Sequence, residues 1–417
     1  MEKQLLISLV SDQTIPNVQI IKEFGNSETD YKFLLTKGMQ RKGVVQWIVD
    51  ATQIKGFQDI FVDEYSVADI ENELHKIDYL EYSRIIVNLT GGTKMMVLSV
   101  FDFFRNKRNT EMYYVTGIGN AYQKIVDRGC EQKLFSCSIS LEEYLRSYGF
   151  SIKKAKPSGV SLEQTEKIYN HYINGDFLRY PDSLNFLRER RGKVITDTDF
   201  VNVKDFLEAI EYYPAQEGIL SRSETKYLTG EWFEEYIGAK IKSDLELTDN
   251  QILVGTTIRK DVPLRQELNS VPILLGLEDE DMGPENEIDV MFVKDNRFYV
   301  IECKTSIIAG QRIISKPRRN KKGEFMYDEK GQQLMDNTIK EDDILGETIY
   351  KSDALRTKFG LFAKSYIFTL SNLKQWVAND SNKAKKMSDL LKRVSLSNIK
   401  IVDRTLLIQA ENMCSLL

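Results

Sequence analysis

Over its first 150 residues this chain alternates between short β-prone apolar runs and stretches with helical spacing. QLLISLV is a short apolar run, VVQWIVDATQIKG has helical spacing, QDIFVDEYS is strand-like and IENELHKIDYLEY is helical. RIIVNLTGGTK then reads as a strand ending in a glycine turn, KMMVLSVFDFFRN as a helix and EMYYVTGIG as a strand. Alternation of this kind predicts parallel strands joined by right-handed crossovers, a Rossmann-like α/β domain over 1–150. KKAKPSGVS, around 151–160, mixes charge with Pro and Gly and reads as a linker. With the helical patterns LEQTEKIYNHYI and VKDFLEAIEYY it makes 151–220 a small helical connector without a chemical motif. A second α/β unit, 221–417, opens on the helix LTGEWFEEYIGAKIK and continues through two strands near residue 300. A long polar segment, about 310–340, then leads to helical ILGETIYKSDALRTKFG and the strand SYIFTL.

A chain of 417 residues exceeds one ordinary core and predicts two or three domains. No apolar run approaches the ~18–20 residues that span a bilayer. MEKQLLISLVSD holds too short an apolar run for a signal peptide, so the expected address is cytoplasmic. Cys130, Cys137, Cys303 and Cys414 form no C-x-x-C pair, which argues against a disulfide framework and a zinc ribbon. With only His75 and His171, a Ser-His-Asp hydrolase, a His-rich metal site and a histidine-dependent ribonuclease are all hard to build. Neither histidine has an arginine four to six residues upstream. A net charge of −5 excludes a uniformly basic nucleic-acid coat but leaves room for local basic patches.

The stretch NEIDVMFVKDNRFYVIECKTS, Asn286 to Ser306, joins two apolar runs through a polar KDNR break, and each run carries charge where a core strand should carry none. Residues two apart in a strand share a face, so Glu302 and Lys304 point one way while Ile301 and Cys303 point into packing. If Val293 pairs with Phe298, or if Asp295-Asn296 is a two-residue turn, Asp289 stands opposite Glu302; a three-residue loop would flip it to the other face. In the favoured register the two carboxylates sit about 5 Å apart beside a lysine. Facing carboxylates repel unless a cation joins them, and hard oxygen donors suit Mg²⁺ or Mn²⁺. The lysine stands where it could orient a water or stabilise the charge of a phosphorane. In GEWFEEYIGAKI the apolar stripe is Trp232, Phe233, Tyr236 and Ile237; Glu234 falls beside it, while Glu231 and Glu235 face further into solvent. The competing reading of the cluster is a surface ion pair at a sheet edge.

Asp289 followed across a hairpin by Glu302-x-Lys304 resembles the PD-(D/E)xK nuclease core, with Glu234 in the place of its first-helix glutamate. Ile288 stands where that motif has proline. The resemblance implies metal-assisted phosphodiester hydrolysis with Asp289, Glu302, Lys304 and Glu234 as the catalytic residues, the three carboxylates holding Mn²⁺ or Mg²⁺. Lys351, Arg356 and Lys358, on the helix expected behind this site, are candidates to meet phosphates. The basic residues Lys316, Arg318, Arg319, Lys321 and Lys322 belong to the polar segment, which suits a mobile loop contacting a nucleic-acid backbone. A solvated helix face and a solvated insertion are the alternatives.

In IIVNLTGGTKMM an apolar strand runs through Thr-Gly-Gly-Thr-Lys into a helix, an arrangement whose free N–H groups and Lys94 favour anions. It is not a Walker A loop, and GIGNAY at 117–122 does not complete G-x-G-x-x-G, so neither ATP hydrolysis nor dinucleotide binding is supported. A second polar turn, SLVSDQTIPN, follows the first strand. Since ligands of open parallel sheets gather at the carboxyl ends of strands, Ser11, Asp12, Gln13, Asn17 and Thr90–Lys94 are expected to share one pocket for a polyanion.

The two turns together resemble the CARF domain (CRISPR-associated Rossmann fold). The order CARF domain, helical connector, PD-(D/E)xK restriction-endonuclease-like domain is similar to the ancillary nucleases of type III CRISPR systems. That resemblance implies a homodimer that binds a cyclic oligoadenylate, usually the tetramer, across its axis and then cuts DNA, RNA or both. It assigns the activator to Ser11, Asp12, Gln13, Asn17, Thr90, Gly91, Gly92, Thr93 and Lys94. A ligand-sensing DNA-binding regulator and an ungated repair or restriction nuclease are the rival readings.

Overall fold

Gln4–Leu9 forms the first strand, β1, and every one of its six residues is buried, the mark of a central parallel strand covered on both faces. In the computed structural model the described residues are 3–117, 119–127, 129–155, 160–260, 285–307, 311–319, 323, 325–327, 333–341, 344–378 and 381–417. The chain divides into two units: Met1–Ile301 with Leu355–Lys364 and Asn412–Cys414, and Glu302–Ala354 with Ser365–Glu411 and Ser415–Leu417. Among the described residues no helix is long and apolar enough to cross a membrane.

In the first unit β1 is followed by α1 (Ile15–Phe24), β2 (Thr29–Leu35), α2 (Lys37–Lys42), α3 (Val44–Thr52), β3 (Gln58–Phe61) and α4 (Val67–His75). Then come β4 (Arg84–Asn88), α5 (Lys94–Phe104), β5 (Thr110–Val115), β6 (Ala121–Val126), β7 (Gly129–Leu134) and α6 (Leu141–Ser147). The sheet order is β3-β2-β1-β4-β5-β6-β7. Its first five strands are parallel, as the alternation predicts, and β6 and β7 add antiparallel. Alternating residues feed two cores. Leu6, Phe33 and Ile86 pack with α1, α3 and α6, whereas Leu5, Ile7, Leu34 and Val87 pack with α4 and α5. This is the expected Rossmann-like α/β sheet.

The stretch read as a linker begins instead with a strand, β8 (Phe150–Ala155), while 156–159 lie outside the described residues. Paired lysines masked its apolar alternation. The helical expectation for 161–220 is met by α7 (Leu162–Ile173), α8 (Pro181–Glu189) and α9 (Asp197–Ala209). They are followed by α10 (Arg222–Lys226), α11 (Trp232–Asp244), β9 (Ile252–Lys260), β10 (Glu285–Lys294) and β11 (Arg297–Lys304). Strands β8, β9, β10 and β11 pair antiparallel in that order.

The β10–β11 register is the one favoured from the sequence. Val293 pairs with Phe298 and Lys294 with Arg297, leaving Asp295 and Asn296 as a two-residue turn with φ of 51° and 56°. Both residues being left-handed is the signature of the tight hairpin turn that suits the twist of its strands. The turn is tied down. The Asn296 amide donates to Asn120 Oδ1 (2.8 Å) and the Cys137 carbonyl (3.0 Å), and its oxygen accepts from the Ile139 N–H (2.7 Å). Arg297 adds a bond to the Gly117 carbonyl (3.0 Å), and Tyr144 stacks on Phe298 with centroids 4.9 Å apart. Burial, with Glu23 alongside, pushes the Cys137 thiol up to about 12.

In the second unit the polar segment read as a mobile loop contains β12 (Gln311–Pro317) and β13 (Met335–Glu341), paired antiparallel from Gln311↔Glu341 to Pro317↔Met335. The β-branched residues Ile313, Ile314, Thr338 and Ile339 give that ribbon its strand propensity. Helix α12 (Ile344–Lys358) and β14 (Lys364–Thr369) follow, then α13 (Leu373–Val377), α14 (Ser381–Leu396), β15 (Ile399–Val402) and α15 (Arg404–Gln409). Strands β14 and β15 are parallel, and Ile307, Leu345, Ile349, Ile367, Leu390 and Ile399 form the core of this unit.

One backbone approach in the first unit depends on glycine. A Cβ on Gly91 would stand 2.1 Å from the Leu9 carbonyl oxygen, so the Thr90–Thr93 turn seats directly on the end of β1. Gly91→Ala is expected to lower stability by about 2–4 kcal/mol in denaturant unfolding. Gly129→Ala, whose Cβ would meet nothing within 4 Å, should stay within about 0.5 kcal/mol. Asn296→Ala strands the groups it now satisfies and places alanine at positive φ, so a loss of about 2–4 kcal/mol is expected. Asp295→Ala, at the exposed half of the same turn, loses no such bonds and should cost only about 1–2 kcal/mol, for alanine at positive φ.

Candidate functional site

Strand β1 has β2 on one side and β4 on the other. The chain builds outward to β3, returns, and builds the other way from β4, so the topological switch lies between β1 and β4, where the loops at the carboxyl ends diverge. Those two loops hold the residues singled out from the sequence.

After β1, Ser11 is half-buried and its Oγ accepts from the Gln13 N–H (3.3 Å). Asp12 is exposed and both its oxygens take Lys42 Nζ at 2.8 Å. The Gln13 side-chain oxygen accepts from the Leu361 N–H (2.8 Å). Helix α1 starts at Ile15 with Pro16 in its first turn, so part of the stretch read as a polar turn is helical. Asn17 therefore sits on that helix, fully buried. Its Nδ2 donates to the Leu9 carbonyl (3.2 Å), and its Oδ1 accepts from Asn88 (2.6 Å). Asn88 also takes the N–H (3.1 Å) and hydroxyl (2.7 Å) of Thr90, and Thr90 Oγ1 accepts from Val115 N–H (2.8 Å). Asn17 and Thr90 thus belong to a buried polar scaffold that fixes the two loops and β5 against each other. The organising residue, Asn88, was overlooked, though it opens the NLTGGTK run.

Gly91 is buried, Gly92 is left-handed (φ 75°), and Thr93 caps α5 by accepting from Met96 N–H (3.3 Å). Lys94, in the first turn of α5, is exposed. Lys37, Arg41 and Lys42, also exposed, lie on α2, which begins two residues beyond the carboxyl end of β2. Parallel pairing puts that end of β2 beside the carboxyl end of β1, so exposed cations that the sequence reading did not name also stand on the switch-point side of the sheet. The arrangement suits an anion with several acceptor oxygens.

The candidate nuclease residues divide between the units. In the second, Glu302 is only 3% exposed, a carboxylate almost wholly out of water. It accepts from two ammonium groups: Lys304 Nζ reaches Oε1 (2.6 Å), and Lys351 Nζ reaches Oε1 (2.9 Å) and Oε2 (3.1 Å). Strand geometry supplies the first contact and α12 the second. Lys351, read from the sequence as a phosphate contact, is engaged by the carboxylate. The Lys304 carbonyl accepts from Leu370 N–H (3.3 Å), pinning the end of β11 beside β14. Cys303 is buried, as a small apolar residue would be.

In the first unit Asp289 is likewise buried. It precedes Val290, whose strand partner Ile301 immediately precedes Glu302. Trp232, Phe233, Tyr236 and Ile237 are buried on α11 as their spacing predicts; Glu231, Glu234 and Glu235 are all half-buried, so exposure does not set Glu234 apart. Among the described residues no three His, Cys, Asp or Glu side chains gather in a metal cage. Mg²⁺ and Mn²⁺ need less than that, since one or two carboxylates, waters and a substrate phosphate complete their shells. Buried carboxylate oxygens therefore fit such an ion by chemistry.

Arg318 and Arg319 are exposed just past β12. The Arg319 guanidinium lies 4.0 Å from the Phe325 ring centroid and donates to the Gly323 carbonyl (2.8 Å). The side chain of Lys316, and all of Lys321 and Lys322, lie outside the described residues. Arg356 is half-buried and Lys358 exposed in the last turn of α12.

Residues 5–144 match the family model of the Card1 CARF domain. No curated protein matches the chain. Among solved structures, Can2 from Sulfobacillus thermosulfidooxidans in complex with cyclic tetra-adenylate is similar over 96% of this chain and 95% of its own, with TM-score 0.62 and 19% identity. Protein VC1899 from Vibrio cholerae is similar over 96% and 94%, with TM-score 0.63 and 14% identity. A type III CRISPR defence DNA nuclease activated by cyclic oligoadenylate is similar over 88% of this chain and 45% of its own, with TM-score 0.51 and 15% identity. At these identities the likeness is one of fold. The span that matches the Card1 CARF domain model, residues 5–144, takes in the strands of the sheet that carries the two switch-point loops.

Proposed function

We propose that this protein is a metal-dependent endonuclease of type III CRISPR defence, switched on by a cyclic oligoadenylate, the tetramer by preference. The observation that carries the reading is the Glu302 carboxylate, buried at the end of an apolar strand in an Asp289, Glu302-x-Lys304 pattern, in a chain whose N-terminal part is a CARF domain. Structures of like fold support it, one bound to cyclic tetra-adenylate and one a DNA nuclease activated by cyclic oligoadenylate. In this reading residues 1–150 sense the ligand, 151–220 connect, and 221–417 form a PD-(D/E)xK domain.

Ser11, Asp12, Gln13 and Thr93–Lys94 offer donors and charge to the activator, while Asn17, Thr90, Gly91 and Gly92 shape the loops that present them. A two-fold-symmetric ring suits a two-fold-symmetric homodimer. It can switch activity only by binding the active arrangement more tightly than the resting one. Asp289 and Glu302, with Glu234, would hold Mn²⁺ or Mg²⁺, which when bound supplies Lewis-acid polarisation of the phosphate and an acidified water. Lys304, fixed beside Glu302, orients the attacking water or stabilises charge gathering on the phosphate. Arg318, Arg319, Lys316, Arg356 and Lys358 are the proposed contacts to the DNA or RNA backbone, whose affinity should fall steeply with salt.

The test is cleavage of single-stranded DNA, supercoiled plasmid and RNA with Mn²⁺, with and without cyclic tetra-adenylate. Wild type should cut only with ligand, and Glu302→Ala and Lys304→Ala should each lower the rate at least about 100-fold while binding the ligand normally. Cleavage by Glu302→Ala at the wild-type rate would refute the assignment. Lys94→Ala should weaken ligand binding about tenfold, read by calorimetry, because it removes a charge-assisted contact.

A further inference from the structure

The carboxylate of Glu302 has two ammonium partners. One ammonium would neutralise it, yet Lys304 and Lys351 both donate to it, and Oε1 is shared between them. The two lysines differ in their freedom. Lys304 is two residues along the same strand and on the same face, so its stem keeps it near Glu302. Lys351 comes from α12, whose buried stripe of Leu345, Thr348, Ile349 and Ser352 fixes the helix while the lysine side chain itself is 48% exposed.

A divalent cation approaching Glu302 would meet a carboxylate already held by two ammonium groups, of which Lys351 has the more exposed side chain, 48% against 33% for Lys304. We propose that Lys351 is the positioning residue of Glu302: it holds both carboxylate oxygens while no cation is there, and it competes with the cation for them. This deepens the metal-nuclease reading and rests on it. Lys351 therefore sets the metal concentration at which the site fills, and its released ammonium, still beside the site, becomes available to the substrate phosphate. Cation and nucleic acid should then load cooperatively, because each draws Lys351 off Glu302.

The experiment measures Mn²⁺ binding directly, by calorimetry and by the electron paramagnetic resonance signal of free Mn²⁺, with no substrate present. Lys351→Met should bind Mn²⁺ about tenfold more tightly than wild type, a coupling typical of two ligands competing for one group. Lys351→Arg, which keeps the charge and the donors, should bind within about threefold of wild type. Circular dichroism checks that each variant is folded, and Lys351→Gln, which keeps a donor without the charge, replaces the methionine variant if that one is not. Mn²⁺ affinity in Lys351→Met equal to or weaker than wild type overturns the role of Lys351 alone. No Mn²⁺ bound by wild type or by any variant overturns the metal-nuclease reading together with it.

Discussion

Side chains along a strand alternate between faces, and a two-residue turn leaves no freedom to choose which face is which. Asp295 and Asn296 are both left-handed, and with them the pairing of Val293 to Phe298 is settled. Everything distinctive about β11 follows from that register. Phe298 and Val300 enter the core of the first unit, and by the end of the strand the same face carries Glu302 and Lys304. One extra residue in the turn would exchange the two faces, parting Glu302 and Lys304 from the side that Asp289 takes in this register.

Much of this was legible in the sequence because the signals were local. The strand–helix alternation of 1–150, the Asp-Asn turn and the apolar stripe of Trp232, Phe233, Tyr236 and Ile237 each rest on spacing within a few residues. What was missed depends on partners far along the chain. Strand β8 is a strand because β9 pairs with it, and its lysines hid its period. The basic ribbon of β12 and β13 pairs across more than a dozen intervening residues. Asn88 looked like the last residue of a strand, and only the fold shows it bonded to both Asn17 and Thr90. Lys351 was legible as a cation on a helix, but which anion it meets is decided by tertiary packing, 49 residues away.

The two candidate sites are built on opposite electrostatic plans. At the switch point Asn17, Asn88 and Thr90 are neutral groups hydrogen-bonded among themselves and to the backbone, and exposed charge stands on Lys42 and Lys94. Such a scaffold is rigid where it must hold loops and wet where it must meet an anion. Around Glu302 the carboxyl group itself is buried, with two ammonium groups donating to it. A buried ion of this sort is expensive to leave unpaired, which makes any change of partners a discrete event instead of a gradual one.

The socket of Asn296 has a mechanical consequence. Three hydrogen bonds seat the hairpin tip on residues 120–139 of the CARF region, and from that tip β11 runs without interruption to Glu302. Residues 120–139 and the hairpin tip are thereby held as one piece, and its fastening is one asparagine.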